Sequence, residues 1–323
     1  MDNLLSVVIP TYNRAGIITY TLDILKNQIE RNANEVELIV CNNASEDDSD
    51  SIIKEYQRNN DFFKYKWYGE HVEIGVSISR SISNATGKYV LLWGDDDVPT
   101  PFLIDVLLYY LHENPDVGLI HFNGIVGNEG KAFSMTNLRI MNSEFKAQTI
   151  LYDSKSFAEN HYAGCGLMSS DLFLKSAWDE GVKIDSSKHY GYEFIAPILI
   201  GVKGKQCLYV NFPLWIQRVP AYRAWQHKAT LFWYVGIPNL LKDLEKNGVI
   251  DDWSSLWHYK TNSKSLLLHV VPQMLLDKKL YKPYLKEIKS NQNSFGKKMF
   301  VNFVYYLVPP FIYKWVRNRH FKK

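Results

Sequence analysis

The chain has 323 residues, a length that allows one large domain or two smaller ones around a substantial core. Its three cysteines lie far apart without a Cys-x-x-Cys pair, which excludes a disulfide framework and a zinc knuckle. The start, MDNLLSVVIP, lacks the basic residues and long apolar middle of a secretory signal, so we expect a cytoplasmic protein. The net charge is only +3, and we expect no nucleic-acid partner.

The first 125 residues alternate short apolar runs with helical patterns. Runs at 5–9, 36–40, 88–93 and 118–122 are β-rich and almost continuously apolar, as expected of strands covered on both faces. Between the first two runs, apolar residues recur at helical spacing, and a second helix is predicted over 45–59 with Ser45 as its N-cap. This alternation predicts an α/β fold with a mostly parallel central sheet.

The pattern is weaker in the second half of the chain. Residues 161–177 predict a glycine-containing strand that runs into a helix, and residues 191–210 predict a helix, a glycine-marked turn and a strand. Beyond about residue 222 the pattern is helical, most clearly at 233–248 and 263–280. We therefore predict a nucleotide-binding domain at 1–220 and a helical C-terminal region at 221–323.

Polar loops follow three of the predicted strands, and in such sheets ligands bind at the carboxyl ends of the strands. The loops contain Thr11-Tyr12-Asn13-Arg14, then Asn42-Asn43, then the triplet Asp95-Asp96-Asp97. Three adjacent carboxylates repel one another unless they are solvated, protonated or neutralised by a cation. Their place at the rim of the sheet favours a metal or ligand site over an ordinary solvated turn.

The motifs SVVIPTYNR, VELIVCNNASEDDS and GVSISRSISNATGKYVLLWGDDDVPTP, in this order, resemble the family 2 glycosyltransferases of the GT-A fold. The resemblance covers roughly residues 4–218 and is strongest to enzymes that build bacterial surface polysaccharides. It implies inverting transfer of a sugar from a nucleotide-sugar donor, with a UDP-sugar favoured, to a glycan or lipid-linked glycan acceptor. It also implies Mn²⁺ or Mg²⁺ as a cofactor that stabilises the diphosphate leaving group.

The resemblance assigns the donor-binding residues. Tyr12 can contact the face of the base, and Asn42 stands where the family commonly has an Asp that accepts the imide proton of the base. Arg80 matches an arginine near the nucleotide, with a solvated helix arginine as the alternative. The full donor-binding set is Pro10, Thr11, Tyr12, Arg14, Asn42, Arg80, Asp95 and Asp96.

The metal motif departs from the family pattern Asp-x-Asp-Asp, because Gly94 occupies its first position. In that register Asp96 holds the metal and Asp95 accepts hydrogen bonds from the ribose. The register Asp95-x-Asp97 is also complete and makes Asp97 the metal ligand. His227 can complete the metal shell, as a histidine does in some GT-A enzymes, or it is a surface or core histidine.

Inverting transfer needs a base that takes the proton of the acceptor hydroxyl. The family tends to place an Asp in a Gly-Glu-Asp-like stretch about 100 residues after the metal motif, which maps onto GYE at 191–193. Glu193 is therefore the candidate base, and Asp185 is the alternative.

The C-terminal tail, residues 296–323, carries seven basic residues and no acid, so the rest of the chain has a net charge of −4. Its apolar stretch from Met299 to Tyr313 is too short to span a bilayer. Aromatic residues beside basic ones favour a segment at the membrane interface, which predicts peripheral association with the inner face of the cell membrane. The alternative is a helix that packs on the domain or on a second subunit in a homo-oligomer.

Two other functions compete with the transferase. A nucleotide-sugar oxidoreductase or epimerase on a Rossmann fold would show Gly-x-Gly-x-x-Gly after the first strand, where this chain has Pro-Thr-Tyr-Asn-Arg-Ala-Gly. A non-catalytic nucleotide-sugar-binding subunit would share the motifs but would not hydrolyse a nucleotide-sugar with a metal.

Overall fold

The computed structural model describes residues 3–58, 60–127, 138–140, 149–162, 168–191, 193–217, 228–257, 268 and 270–313. The chain divides into two compact units. The first comprises residues 1–184 and 197–221, and the second comprises residues 185–196 and 222–323. The second unit therefore takes residues 185–196 out of the predicted 1–220 domain.

The first unit is built on a ten-stranded sheet. The strands are β1 (Leu5–Thr11), β2 (Val36–Asn42), β3 (Phe63–Trp67), β4 (Tyr89–Leu92), β5 (Val98–Pro99), β6 (Leu119–Gly127), β7 (Leu138–Ile140), β8 (Thr149–Asp153), β9 (Asp171–Leu174) and β10 (Gln206–Gln217). Their order is β3-β2-β1-β4-β9-β6-β10-β5, with β7 beside β6 and β8 beside β10. Strands β3, β2, β1 and β4 run parallel, whereas β9 is antiparallel to both neighbours. The predicted α/β class and all four predicted strands are confirmed.

Helices connect these strands: α1 (Ile18–Arg31), α2 (Ser49–Gln57), α3 (Ile74–Ile82), α4 (Leu103–Glu113), α5 (Ser154–His161), α6 (Lys175–Gly181) and α7 (Ile195–Gly201). The apolar stripe predicted for α1 is confirmed, because Ile18, Leu22, Leu25 and Ile29 have no exposed surface and belong to the core of the sheet. Each such side chain contributes about 1.5–3 kcal/mol by leaving water. This packing fixes α1, and with it the loop that precedes it.

The predicted start of the second helix at Ser45 is wrong, because α2 begins at Ser49. The Ser45 backbone N–H donates to Asn42 Oδ1 at 2.8 Å, and the Ser45 hydroxyl accepts from the Asn13 N–H at 2.9 Å. Asp47 Oδ1 accepts from the Ser49 N–H at 3.0 Å and closes the first turn. A contact within its own loop and one with the loop after β1 therefore outweigh the capping tendency of Ser45.

The weaker second-half predictions agree with the structure where it describes the chain. Strand β9 runs directly into α6, as predicted within 161–177, although the glycines of that segment lie outside the described residues. Helix α7, a turn at Gly204 with φ of 78° and strand β10 match the prediction for 191–210.

A buried carboxylate joins the first three strands. Glu37 is 2% exposed, accepts from Ser6 Oγ at 2.5 Å and from the Thr86 N–H at 2.8 Å, and forms an ion pair with Lys64. Burial raises the pKa of Glu37, but the hydrogen bonds from Lys64, Ser6 and Thr86 outweigh it and hold the pKa below 4.5. The ionised carboxylate is therefore part of the folded sheet.

The second unit is helical, as predicted. Its elements are α8 (Ala229–Leu231), a π-helical stretch Phe232–Gly236, α9 (Ile237–Lys246), α10 (Trp253–Leu256), a 3-10 stretch Val271–Leu276, α11 (Lys278–Tyr281), a 3-10 turn Lys282–Tyr284, α12 (Leu285–Ser290), α13 (Phe295–Asn302) and a π-helical turn Phe303–Leu307. Of the helix predicted at 263–280, residues 263–267 and 269 lie outside the described residues. In the part of the chain that the structure describes, no helix has the length and apolar character needed to cross a bilayer.

Candidate active site

Three loops meet at the carboxyl ends of β1, β2 and β4. In the first loop Arg14 reaches the third, where its Nε lies 3.2 Å from Asp95 Oδ1 and its guanidinium lies 3.7 Å from Asp96 Oδ2. The Ala15 N–H donates to Asp47 Oδ2 at 2.9 Å and joins the first loop to the second. Asn13, in the left-handed region at φ 52°, turns the chain between these contacts. The structure thus brings the predicted rim residues together.

The three aspartates have different surroundings. Asp95 and Asp97 are 7% and 8% exposed, whereas the Asp96 side chain is 28% exposed. Burial raises the pKa of Asp95 to about 6; Arg14 opposes this rise and the charge of Asp96 adds to it. Burial, followed by the charge of Asp96, raises the pKa of Asp97 to about 8. Burial and mutual repulsion therefore disfavour simultaneous ionisation of the three carboxylates, with Arg14 as the charge that opposes this at Asp95.

The glycine that breaks the family motif has a steric role. A Cβ atom at Gly94 would lie 2.9 Å from Asp97 Oδ2 and 3.3 Å from Ser169 Oγ. The Gly94 N–H donates to Ser169 Oγ at 2.9 Å, and the Ser169 hydroxyl donates to Asp97 Oδ2 at 2.6 Å. Ser169 lies two residues before β9. It reaches Asp97 because β9 pairs with β4, so no local sequence signal marks it as a site residue.

Asn42 does not present its amide to a ligand in this structure. It has no exposed surface, its Oδ1 accepts from the Ser45 N–H, and its Nδ2 donates to Tyr65 Oη at 3.1 Å. The predicted role of Asn42 as acceptor for the base therefore has no support in its geometry. The amide is used to hold the second loop.

Asn43, the next residue, organises the neighbouring part of the rim. Its Oδ1 accepts from the Val72 N–H at 3.1 Å and from the Arg80 guanidinium, and its Nδ2 donates to the Val72 carbonyl at 2.9 Å. Arg80 also lies 3.9 Å above the centre of the Tyr68 ring. Arg80 is thus half-buried and held in place by Asn43 and Tyr68.

The residues predicted to cradle the base are split between strand and loop. Pro10 and Thr11 are buried within β1, whereas Tyr12 is half-buried in the loop that follows. The Tyr12 ring lies 4.2 Å from the His71 ring, centre to centre, at 39°. His71 was not among the predicted residues, and only the folding of residues 68–73 onto Asn43 brings it there.

The two candidate bases belong to the second unit. Both carboxylate oxygens of Glu193 accept from the Gly191 N–H, at 2.8 and 2.9 Å, in a turn where Tyr190 and Gly191 have φ of 44° and 92°. Asp185 is exposed, and hydrogen bonds from the Ser187 side chain and from the Ser187 N–H, the latter at 3.0 Å, lower the pKa of Asp185. The third candidate, His227, lies outside the described residues.

Within the described residues, no group of three or more His, Cys, Asp and Glu side chains is arranged to hold a metal ion. The aspartate cluster still fits a divalent cation chemically, because carboxylate oxygens are the ligands that Mg²⁺ and Mn²⁺ prefer. The raised pKa values of Asp95 and Asp97, caused first by burial and then by nearby charge, mean that a bound cation would favour their ionised forms. Such a cation would need further ligands from outside the cluster.

A sequence model described as "Glycosyl transferase family 2" matches residues 6–171, just over half of the chain. The chain belongs to glycosyl transferase family 2. The match includes all three rim loops and confirms the predicted family and, at the level of the family, the predicted enzyme class. It counts against the oxidoreductase or epimerase alternative.

Two curated family members are similar to this family 2 glycosyltransferase. Abequosyltransferase RfbV of Salmonella typhimurium is 26% identical over 228 residues, which cover 67% of this chain and 66% of that protein. The GalNAc(5)-diNAcBac-PP-undecaprenol beta-1,3-glucosyltransferase of Campylobacter jejuni is 28% identical over 137 residues, which cover 40% of this chain and 42% of that protein. The chain thus matches less than two thirds of the length of either relative.

Solved structures share the fold of this family 2 glycosyltransferase. TarS 1–349 of S. aureus, in complex with UDP-GlcNAc, matches with a TM-score of 0.62 over 98% of this chain and 91% of that chain, at 13% identity. The mannosyltransferase PcManGT of Pyrobaculum calidifontis, in complex with GDP-Man and Mn²⁺, matches with a TM-score of 0.51 over 100% and 89%, also at 13% identity. Together with the observed sheet, this likeness confirms the predicted GT-A fold.

Proposed function

We propose that the protein transfers a sugar from a nucleotide-sugar donor to a glycan or lipid-linked glycan acceptor in surface polysaccharide synthesis. The observation that carries the proposal is the acidic loop after β4, whose Asp95 and Asp97 have raised pKa values and whose Asp96 remains accessible, inside the region that matches family 2. A structural turn gains nothing from buried carboxylates whose ionisation is disfavoured, whereas a site that binds a cation and a diphosphate does.

The donor is held by residues of all three loops. Asp95 accepts hydrogen bonds from the ribose, and Tyr12 together with His71 offers an aromatic surface to the base. Arg14, which now contacts Asp95 and Asp96, is a cation that diphosphate oxygens would also attract. We favour a UDP-sugar as the donor, as the family resemblance implies. We also propose that Arg80 lies near the nucleotide, held there by its hydrogen bond to Asn43 Oδ1.

The cofactor is Mn²⁺ or Mg²⁺. Asp96 would hold it, because its side chain is the most exposed of the three, and Asp97 is the alternative ligand. When bound, the cation would stabilise negative charge on the diphosphate leaving group. With a single carboxylate ligand it would take its other ligands from the donor phosphates and water, as Mg²⁺ commonly does. The Mn²⁺ printed with PcManGT concerns that protein and supports the choice of ion here.

The transfer inverts the anomeric centre. The acceptor oxygen forms a bond to the anomeric carbon while the bond from that carbon to the diphosphate oxygen breaks, and the electron pair leaves with the diphosphate. The proton of the acceptor hydroxyl passes to a carboxylate, for which we propose Glu193, with Asp185 as the alternative. The Gly191 N–H already holds both Glu193 oxygens and so limits the rotation of that carboxylate.

The acceptor class rests on the names of the relatives. RfbV is an abequosyltransferase, and the Campylobacter jejuni relative acts on an undecaprenol-linked glycan. A lipid-linked glycan accounts for a basic, aromatic C-terminal tail better than a soluble acceptor does, because such an acceptor lies at an anionic surface.

Thermal unfolding with a panel of nucleoside diphosphates, with and without Mn²⁺, tests the donor site. A ligand at 100 times its Kd stabilises the folded state by about 2.7 kcal/mol, so UDP with Mn²⁺ should raise Tm measurably. Release of nucleoside diphosphate from a UDP-sugar then separates the enzyme from a non-catalytic binding subunit. Stabilisation without any metal-dependent release would favour the binding subunit, and an unchanged Tm with every nucleotide would refute the donor site.

A further inference from the structure

The last described helical stretch of the second unit exposes a continuous apolar stripe. Helix α13 and the π-helical turn that follows it place large apolar side chains at intervals of three and four residues, so that they share one face. The exposed fractions of this apolar stripe are Phe295 78%, Met299 49%, Phe303 53%, Tyr306 65% and Leu307 70%; Phe311, 69% exposed, follows beyond the extended Val308 that ends the π-helical turn. A contiguous exposed patch of this kind marks an interaction surface.

The opposite face of the same stretch is packed. Val301 and Val304 are 0% and 3% exposed. The Tyr305 hydroxyl donates to the Lys278 carbonyl at 3.2 Å, and Lys278 Nζ donates to the Val308 carbonyl at 3.3 Å. The segment is therefore anchored to the second unit through its inner face. The apolar stripe stays outside because the inner face is already used.

The charge around the stripe is strongly one-sided. Residues 278–323 contain twelve Lys and Arg and a single acid, Glu287, a net charge of +11. Since the whole chain carries +3, the remaining residues carry −8. Lys279, Lys282, Lys286 and Lys298 are exposed on the described part of this segment. Large apolar side chains together with a surplus of lysines match the boundary between acyl chains and anionic headgroups.

We propose that residues 278–313 dock on an anionic phospholipid bilayer, with the apolar stripe entering the interface and the lysines on the headgroups. Two copies of the chain meeting through this face would bring together two 278–313 segments, each with seven lysines and one acid and so a net charge of +6, which opposes a dimer. A phosphate backbone would satisfy the lysines but would leave Met299 and Leu307 in water. The docking depends on the proposed function in one respect: a lipid-linked acceptor would place the substrate at the same membrane.

Co-sedimentation of the full chain with vesicles tests the docking. We expect binding to equimolar phosphatidylcholine and phosphatidylglycerol, weaker binding at high salt and little binding to phosphatidylcholine alone. Phe303→Glu should weaken binding at least about ten-fold, because an aromatic side chain that enters the bilayer interface on docking is replaced by a charge. Tyr109→Glu is the matched control: Tyr109 is 60% exposed on the first unit, and the change adds the same charge to an exposed aromatic position.

Equal binding of Phe303→Glu and wild type would overturn the proposal, and so would equal binding to both vesicle types. Sedimentation velocity without vesicles adds a further outcome: a wild-type dimer that Phe303→Glu dissociates would assign the stripe to a second copy and also overturn the proposal. Asp96→Asn should bind vesicles like wild type. Because the vesicles contain neither donor nor acceptor, loss of docking and loss of transfer are read separately.

Discussion

The clearest test of the aspartate cluster is Asp96→Asn, which should stabilise the metal-free protein while abolishing metal-dependent turnover. The variant loses an ion pair with Arg14 at 3.7 Å, and since both partners are 28–39% exposed, this pair contributes at most about 1 kcal/mol. Above pH 8, where Asp95 and Asp97 are both ionised, it also removes repulsion with these two buried carboxylates, on the order of 2 kcal/mol for charges several Å apart at an effective dielectric of about 20. The net gain of about 1–2 kcal/mol should raise Tm by about 2–4 °C.

The gain should depend on pH. The pKa values of Asp95 and Asp97 are raised to about 6 and about 8, so the folded state holds protons that the unfolded state releases above 3.8. The contribution of these two carboxyl groups to wild-type stability in EDTA therefore falls as pH rises from about 4 to about 8. Because the charge of Asp96 contributes to both shifts, the variant should lose less stability over that range. Its advantage in Tm should be larger above pH 8 than below pH 6.

The assay compares thermal unfolding in EDTA with release of nucleoside diphosphate from a UDP-sugar in Mn²⁺. Asp105→Asn is the matched control, because Asp105 forms an exposed ion pair with Arg31 at 3.1 Å outside the rim loops. The control should keep its turnover and change Tm little. A Tm that drops by several degrees in Asp96→Asn would show a structural role for this carboxylate. The metal role of Asp96 would be refuted if Asp96→Asn kept full turnover, or if the wild type kept full turnover in excess EDTA.

Other substitutions test neighbouring features. Glu193→Gln should slow transfer by about 10²–10⁴-fold, while the donor affinity measured by calorimetry stays within a few-fold of wild type. Asp185→Asn should slow transfer much less, and the reverse order would make Asp185 the base. Gly94→Ala should reduce the free energy of unfolding, measured with urea, by about 1–3 kcal/mol and should weaken Mn²⁺-dependent turnover, because the added Cβ would displace the Asp97 carboxylate. An unchanged free energy of unfolding would contradict this steric explanation. Glu37→Gln should destabilise by about 1–3 kcal/mol near neutral pH, because it replaces a charged acceptor by a neutral one while Lys64 remains half exposed. Since the pKa of Glu37 lies below 4.5 in the folded state, this difference should shrink as pH falls through and below that value, and a constant difference would argue against the ionised network.

The local pattern of the chain was enough to place the rim. Buried parallel strands need nearly continuous apolar runs, and the carboxyl ends of such strands meet at one edge, so the order of the motifs predicted that Arg14 and the Asp triplet would come together. The apolar stripe of α1 was readable for the same reason: burial of one helix face imposes a period of 3.6 residues. These are properties that neighbouring residues along the chain carry by themselves.

Contacts between distant segments decided the rest, because a hydrogen bond across 30 or 70 residues leaves no periodic trace in the sequence. Ser45 is a good N-cap residue, yet its hydroxyl accepts from the N–H of Asn13, which lies 32 residues earlier in the chain. Asn42 matched a donor-binding position, but folding buried it and left Asn43 to hold Arg80. The tail followed the same division: its charge and aromatic content could be counted from the sequence, whereas only packing of the inner face determined which side chains stay in water.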